Sequence, residues 1–161
     1  MTVFIVMGVS GAGKSTIGRK LADQLQIPFF EGDDFHPETN KAKMSQGIAL
    51  QNADRHAWIV SLANSINEID SDCVVSCSAL NPIVRDWINQ EFEQDVRFVC
   101  LSATKEVLLK RLQARSEHFF PPELLDSQLD ALELSAEIPC VNVQQPIEKV
   151  IRDVLDIFEE T

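Results

Sequence analysis

Short apolar runs alternate along the chain with longer segments in which apolar residues recur every three or four positions. The short runs lie at 2–7, 27–30, 73–77, 96–101 and 140–143, and their length and β-branched content predict five buried strands. The periodic segments predict helices at 15–25, 37–46, 53–69, 82–92, 104–115, 123–133 and 146–159. Strands that alternate with helices predict an α/β fold of three layers, with a mostly parallel sheet covered on both faces.

The pattern is irregular just after the helix that ends near residue 115. Residues 116–122 are rich in aromatic residues and proline, and a short helix follows them. We interpret the segment from about 115 to 135 as a mobile lid. Because composition does not shift along the chain, residues 1–161 predict a single domain that carries this lid.

Charge and hydropathy exclude several classes of partner. The formal net charge of −11 argues against a nucleic-acid or anionic-membrane surface. No apolar run approaches the roughly 20 residues of a membrane span. The first apolar run has no basic residues before it and leads into a glycine-rich loop, so we expect a core strand and not a signal peptide.

The chain has four cysteines, and each lies in or beside a predicted strand. None of them forms a C-x-x-C pair, and no spacing between cysteine and histidine suits zinc. We expect Cys73, Cys77, Cys100 and Cys140 to be buried reduced thiols, which predicts a cytoplasmic protein.

The first strand and the first helix are joined by Gly8-Val9-Ser10-Gly11-Ala12-Gly13-Lys14-Ser15, which matches the P-loop pattern G-x-x-x-x-G-K-[ST]. Glycines let such a loop curl so that backbone N–H groups converge on phosphate oxygens. Lys14 would reach the β- and γ-phosphates of ATP, and the Ser15 hydroxyl would hold Mg²⁺. The predicted ATP-binding residues of this loop are Gly8, Ser10, Gly11, Ala12, Gly13, Lys14, Ser15 and Thr16.

Acidic residues follow the second strand, where ligands bind in an open α/β sheet. We expect Asp33 to orient an acceptor hydroxyl and to take its proton, which is the task left to a side chain in phosphoryl transfer. Glu31 lies two residues back on the same strand face and could hold a Mg²⁺-bound water. The alternative for both residues is a solvated loop carboxylate.

Four arginines are candidates for binding anions. Arg111 and Arg115 lie one helical turn apart before the lid, where they could neutralise charge developing on the γ-phosphate. The alternative is that the helix dipole alone favours a basic C-terminus. Arg55 and Arg85 flank strand ends and could bind the carboxylate of an anionic acceptor, with surface salt bridges as the alternative.

Histidine and tryptophan provide two further candidates. His36 is close to Asp33 and could contact the acceptor, or it could be a structural loop residue. Trp58 could belong to the core or to the wall of a substrate pocket. His36, His56 and His118 share no local ligand spacing, so we do not expect them to form a metal site.

Taken together, these blocks resemble the gluconokinases, a family of P-loop small-molecule kinases. The more specific blocks are His36-Pro37, Cys77-Ser78-Ala79-Leu80, and a lid with His118-Phe119-Phe120, Ser127-Gln128 and Leu132-Glu133. The resemblance implies ATP-dependent phosphorylation of the 6-hydroxyl of D-gluconate by a shikimate-kinase-like fold with strand order 2-3-1-4-5. It also implies a homodimer, because members of the family are often dimers.

The resemblance further assigns roles to individual positions. Asp33 would face the acceptor hydroxyl, while Arg55, Arg85 and His36 would line the sugar-acid site together with His118 of the lid. The loop at 142–146, which contains Gln145, would border the adenine.

Three positions depart from the family pattern. Asn81 stands where the family usually has lysine, Val84 replaces an aromatic residue, and Glu117 replaces glycine. These changes leave open a kinase for another small polyol acid, such as shikimate or a different sugar acid.

A nucleotide-binding regulator without turnover is a further alternative, although such a protein would need neither Asp33 nor the paired arginines. A nucleoside monophosphate kinase is disfavoured because no basic surface for a second nucleotide is visible.

Overall fold

The computed structural model describes residues 1–115, 122–132 and 137–160. Within these ranges the strands are β1 (Thr2–Met7), β2 (Phe29–Glu31), β3 (Cys73–Ser76), β4 (Asp95–Ser102) and β5 (Cys140–Asn142). The helices are α1 (Lys14–Leu25), α2 (Glu38–Ser45), α3 (Asn52–Ile66), α4 (Pro82–Glu91), α5 (Lys105–Arg115), α6 (Pro122–Ala131) and α7 (Ile147–Glu159). A single 3₁₀ turn, Gly32–Phe35, follows β2.

The five strands form one sheet in the order β2-β3-β1-β4-β5, and every neighbouring pair is parallel. Both the parallel sheet and the strand order predicted above are confirmed. Because β1 is central, the loop that follows it lies at the middle of the carboxyl edge. Strands β2 and β3 lie on one side of β1, and β4 and β5 lie on the other, so the direction of the chain connections reverses at β1. Open α/β sheets bind ligands at such a point.

Two apolar cores cover the two faces of this sheet. Val3, Ile5 and Met7 of β1 point to one face, where they pack against α3 and α4. Val6 points to the other face and joins a core formed with α1, α5 and α7. This alternation along a largely buried strand confirms the three-layer architecture.

Helix α3 is shorter than its apolar pattern predicts, because it ends at Ile66 and not near residue 69. The residue at this end is Asn67, the C-cap of α3. Its Nδ2 donates to the carbonyl oxygen of Glu91, and its Oδ1 accepts from the backbone N–H of Glu93. Asn67 therefore links the end of α3 to the connection between α4 and β4.

Three of the four cysteines are buried free thiols, as predicted, but Cys140 is exposed. The prediction was wrong for Cys140 because β5 is an edge strand and this residue lies at its start. Burial raises the pKa of the Cys77 thiol to about 12, so this residue is an unreactive part of the core. Among the described residues, no helix is both long and apolar enough to cross a membrane.

Candidate active site

The loop between β1 and α1 curls tightly at two glycines. Gly11 and Gly13 have φ angles of +87° and +92°, a region that residues with a side chain rarely adopt. A Cβ atom at Gly11 would lie 3.0 Å from Leu112 Cγ, so the loop packs directly on α5. Gly8 lies at the base of the loop against the carbonyl of Leu101. The curl leads into the N-terminus of α1, where backbone N–H groups and the helix dipole favour an anion.

A cavity of about 380 Å³ extends from this loop between α1, α5 and α7. Arg111 donates through Nη2 to the carbonyl of Val143 at 3.0 Å, and Gln145 donates to Asp153 at 2.9 Å. A partly apolar cavity next to a loop that suits phosphate is the kind of site that binds the nucleoside of a nucleotide. The lining residues predicted to bind the cofactor are Gly11, Ala12, Gly13, Thr16, Arg111 and Gln145.

A smaller cavity of about 140 Å³ lies between the loop and the end of β2. There the Ser15 hydroxyl donates to Glu31 Oε2, and the buried Ser76 hydroxyl donates to Glu31 Oε1 over 2.5 Å. Glu31 and Ser76 are paired in register on neighbouring strands. Ser15 and Glu31 thus present adjacent oxygen atoms beside the phosphate cradle, and oxygen ligands are what Mg²⁺ prefers.

A third cavity, of about 320 Å³, opens on the far side of Lys14 and Asp33, and we call it the acceptor cavity. Ser10, Lys14 and Asp33 line both this cavity and the smaller phosphate cavity. The remaining lining residues are His36, Met44, Leu50, Arg55, Trp58, Ser78 and Gln128. The two cavities therefore meet at a cation and a carboxylate.

Asp33 is held by the 3₁₀ turn that follows β2. A Cβ atom at Gly32 would overlap the carbonyl oxygen of Ser76, so only glycine permits this close approach. Trp58 Nε1 donates to the carbonyl of Gly32 at 2.8 Å and fixes the turn from the other side. Although Asp33 keeps contact with solvent, the surrounding protein desolvates its carboxylate and raises its pKa, against the opposing charge of Lys14. A raised pKa suits a carboxylate that takes up a proton.

His36 is buried and lies flat against Trp58. The two rings are stacked, with centroids 4.4 Å apart and an angle of 15° between their planes. Burial lowers the pKa of His36, while the charge of Asp33 acts in the opposite direction. The lowered pKa favours the neutral form of His36 at pH 7, at the edge of the acceptor cavity. The ring of Trp58 serves both the core and the cavity wall, so the two alternatives for this residue are not exclusive.

The structure separates the two arginines that were predicted to bind the acceptor. Arg55 lines the acceptor cavity, and together with Lys14 it is one of two cations among the described lining residues. Arg85 is 6% exposed and donates to the carbonyl of Ala79 at 2.8 Å. It lines a different cavity, of about 490 Å³, between α4, β4 and α7. Of these two arginines, only Arg55 is among the described residues that line the same cavity as Asp33.

Two predicted site residues fall outside what the structure describes. Helix α5 reaches Arg115, but the side chain of this residue is not among those described. His118 lies outside the described residues, as do Glu117 and much of the predicted lid. Their roles remain predictions.

Sequence reasoning assigned no site role to Ser78 and Gln128, which line the acceptor cavity, or to Asn40 and Ser76, which contact His36 and Glu31. Gln128 reaches from α6 to accept a hydrogen bond from the backbone N–H of Ser10 at 2.8 Å. Ser78 and Gln128 stood in the family-like blocks, which was the available signal for them. Ser76 is an ordinary strand residue in the sequence, and only its pairing with Glu31 indicates a role.

Two of the departures from the family pattern have structural explanations. Asn81 is the N-cap of α4, where its Oδ1 accepts from the backbone N–H of Val84 at 3.0 Å. Val84 is 3% exposed and belongs to the core on this face of the sheet. Neither residue is among the described residues that line the acceptor cavity.

Comparisons with known proteins show the family and the fold of this chain. The model of the shikimate kinase family matches residues 10–156. A probable gluconokinase from Dictyostelium discoideum is 40% identical over 166 residues, which cover 98% of this chain and 83% of that protein. The thermosensitive gluconokinase of Escherichia coli (strain K12) is 43% identical over 133 residues, covering 81% and 71% of the two chains. The crystal structure of a gluconokinase from Sinorhizobium meliloti 1021 superposes with a TM-score of 0.87 at 36% identity, covering 99% of this chain and 92% of that one.

Proposed function

This chain belongs to the shikimate kinase-like family of ATP-dependent small-molecule kinases, and from that premise we propose that it is a gluconokinase. The reaction is transfer of the γ-phosphate of ATP to the 6-hydroxyl of D-gluconate, which gives 6-phosphogluconate. The observation that carries the proposal is that Lys14 and Asp33 line both the phosphate cavity and the acceptor cavity. A phosphoryl group and a hydroxyl can therefore approach each other between these two side chains.

The P-loop holds the donor side of the reaction. Its backbone N–H groups bind the phosphates, and the Lys14 ammonium group stabilises the negative charge of the phosphoryl group during transfer. The nucleoside lies in the cavity lined by Arg111 and Gln145. Ser15 and Glu31 fit a magnesium site, with Ser15 as a direct ligand and Glu31 acting through a water. When bound, Mg²⁺ would offset the negative charge of the phosphates.

Asp33 and Arg55 act on the acceptor. The Asp33 carboxylate accepts a hydrogen bond from the 6-hydroxyl and directs the hydroxyl oxygen at the γ-phosphorus. It takes the hydroxyl proton as the new O–P bond forms and the bond from the γ-phosphorus to the leaving oxygen of ADP breaks. Arg55 binds the carboxylate at the other end of the open-chain acid, which sets the direction of the substrate in the cavity. His36 and Trp58 line the wall between these two ends.

The lid completes the proposed site. Gln128 already contacts the P-loop from α6, and Arg115 ends the helix that precedes the lid. Closure of this segment would bring Arg115 and His118 to the reacting groups and exclude water.

A substrate panel tests the proposal. Purified protein with MgATP is incubated with gluconate, shikimate, other sugar acids or no acceptor, and ADP formation is followed. We expect gluconate to give the highest kcat/KM. A preference for shikimate or another acid would support a different polyol-acid kinase. Nucleotide binding without ADP formation on any acceptor would support a regulatory protein.

A further inference from the structure

His36 is held in one plane at the edge of the acceptor cavity. Its ring stacks on Trp58, and Trp58 is itself fixed by the hydrogen bond from its Nε1 to the carbonyl of Gly32. One edge of the imidazole ring, which carries Nδ1, faces Asn40 of α2 at 3.3 Å. The other edge, with Nε2, makes no hydrogen bond to a described residue, and because His36 lines the acceptor cavity we assign this edge to it.

The orientation of the Asn40 amide is set by a neighbour that can only accept hydrogen bonds. Asn40 is 1% exposed, and its Nδ2 lies 2.8 Å from the backbone carbonyl oxygen of Asp54. A carbonyl oxygen has no hydrogen to give, so the amide nitrogen and not the amide oxygen must face it. The same Nδ2 is the atom that faces His36 Nδ1, and its second hydrogen is available for that contact.

We propose that Asn40 is a positioning residue that holds His36 as the neutral tautomer with its proton on Nε2, so that His36 donates a hydrogen bond to a hydroxyl group of the acceptor. With Nδ1 accepting from Asn40, a neutral ring must carry its hydrogen on Nε2. His36 is then a fixed donor to a polyol hydroxyl and not a cation for the carboxylate. The part that concerns the acceptor rests on the proposed function, whereas the tautomer does not.

The electrostatic surroundings agree with a neutral ring. Burial lowers the pKa of His36, and the charge of Lys41 acts in the same direction. Asp33 opposes both effects. Asp33 remains free to serve as the base, because a donor at His36 Nε2 takes no proton from the acceptor.

The tautomer can be observed directly in the nucleotide-free protein by two-bond ¹H–¹⁵N correlation spectra of uniformly ¹⁵N-labelled material at pH 7.5. The chain has three histidines, and loss of one set of signals in His36→Gln assigns this residue. We expect a pyrrole-type nitrogen at Nε2 and a pyridine-type nitrogen at Nδ1. The reverse pattern, two protonated nitrogens or an averaged signal would overturn the proposal whether or not gluconate is the substrate.

Asn40→Asp tests the positioning role. An ionised carboxylate can only accept, so it favours a proton on Nδ1 and should reverse the tautomer or charge the ring. We expect kcat/KM for gluconate to fall by about tenfold or more, with KM for MgATP changed by less than about threefold. Asn89→Asp makes the same chemical change on the exposed part of α4 and should leave both constants and the His36 signals unchanged. An unaltered tautomer in folded Asn40→Asp would contradict the proposal.

A second pair of variants applies even if Asn40→Asp fails to fold, as judged by circular dichroism. The amide nitrogen of glutamine can occupy the place of Nε2, whereas asparagine is too short to reach it. His36→Gln should therefore keep about tenfold more kcat/KM for gluconate than His36→Asn. Equal losses in the two variants would contradict a donor role for Nε2.

Discussion

Ser76 Oγ donates a hydrogen bond of 2.5 Å to Glu31 Oε1 across the pairing of β3 with β2. The other carboxylate oxygen of Glu31 accepts from Ser15, the proposed ligand of Mg²⁺. A fully buried hydroxyl thus fixes the carboxylate that we expect to hold a metal-bound water. Glu31 is oriented before any ligand arrives, which lowers the cost of ordering it on binding.

We expect Ser76→Ala to weaken Mg²⁺ binding while the P-loop still binds the phosphates of the nucleotide. Loss of one hydrogen bond to a carboxylate costs about 1.5–3 kcal/mol. The Mg²⁺ concentration for half-maximal rate should therefore rise by about tenfold or more. Mn²⁺ binding in the presence of ADP, followed by electron paramagnetic resonance, gives a readout that does not depend on turnover.

Ser71→Ala is the matched control, because Ser71 precedes β3 and bonds only locally, to the carbonyl of Asp72. It should behave as the wild type in both measurements. If Ser76→Ala bound Mn²⁺ as tightly as this control, the hydrogen bond to Glu31 would have no part in metal binding.

Asp33→Asn should separate binding from chemistry. The amide keeps the shape of the side chain but cannot take the acceptor proton, so we expect kcat to fall on the order of 10²-fold or more. Nucleotide affinity, measured by calorimetry, should stay close to that of the wild type. Asp34→Asn changes the neighbouring exposed carboxylate and should retain full activity. Comparable kcat values for the two variants would remove Asp33 from its proposed role.

The same substitution should alter stability in a pH-dependent way. Because the pKa of Asp33 is raised in the folded protein, the folded state holds this proton more tightly than the unfolded chain. Ionisation of Asp33 therefore lowers the free energy of unfolding as pH rises through its pKa. We expect Asp33→Asn to have a higher Tm than the wild type near pH 7 and a similar Tm at about pH 3, below the pKa of Asp33 in the unfolded chain. A Tm difference that is constant over this range would contradict the raised pKa.

Arg55 should act on the acceptor and not on the nucleotide. Removing one charge-assisted hydrogen bond to a carboxylate predicts a rise in KM for gluconate of about tenfold or more in Arg55→Gln. KM for MgATP should change by less than about threefold. Arg152→Gln removes a cation from the exposed face of α7 and serves as the control. Equal effects on both Michaelis constants of Arg55→Gln would indicate a general loss of positive potential.

Gln128 should slow hydrogen exchange at one backbone amide of the P-loop. Its Oε1 accepts from the backbone N–H of Ser10, and Gln128→Leu removes this acceptor. Loss of an ordinary hydrogen bond of about 1 kcal/mol predicts that the Ser10 amide exchanges hydrogen about five to ten times faster. Gln113→Leu on the exposed side of α5 makes the same chemical change and should leave this rate unaltered.

The places of the P-loop and Asp33 in the fold could be predicted from the sequence, because the residues of the loop are contiguous. The P-loop lies between a buried strand and a helix, and parallel strands bring their carboxyl ends to one edge, so Asp33 had to lie near Lys14. The order of the strands in the sheet could be predicted only from the family resemblance. Once the order is known, the central position of β1 places the P-loop at the middle of that edge.

The acceptor side was harder to predict because it depends on which way side chains point. Arg85 is buried on α4 with Val84 and Ile88, and it lines a different cavity from Asp33. Asn40 is a buried polar residue on a helix without an apolar stripe, and no periodicity marks it. Asn81 looked like a missing cation in the sequence, whereas its amide caps α4. Such roles are set by tertiary contacts that a linear pattern does not contain.

The position of the transferred phosphate tests the central claim most directly. Protein, MgATP and gluconate are incubated together, and the product is analysed by ¹H–³¹P correlation NMR. We predict one phosphate ester, on carbon 6 of gluconate, formed in equal amount to ADP. ADP that accumulates without this ester, or an ester on another carbon, would contradict the assignment of Asp33 and Arg55 to opposite ends of gluconate.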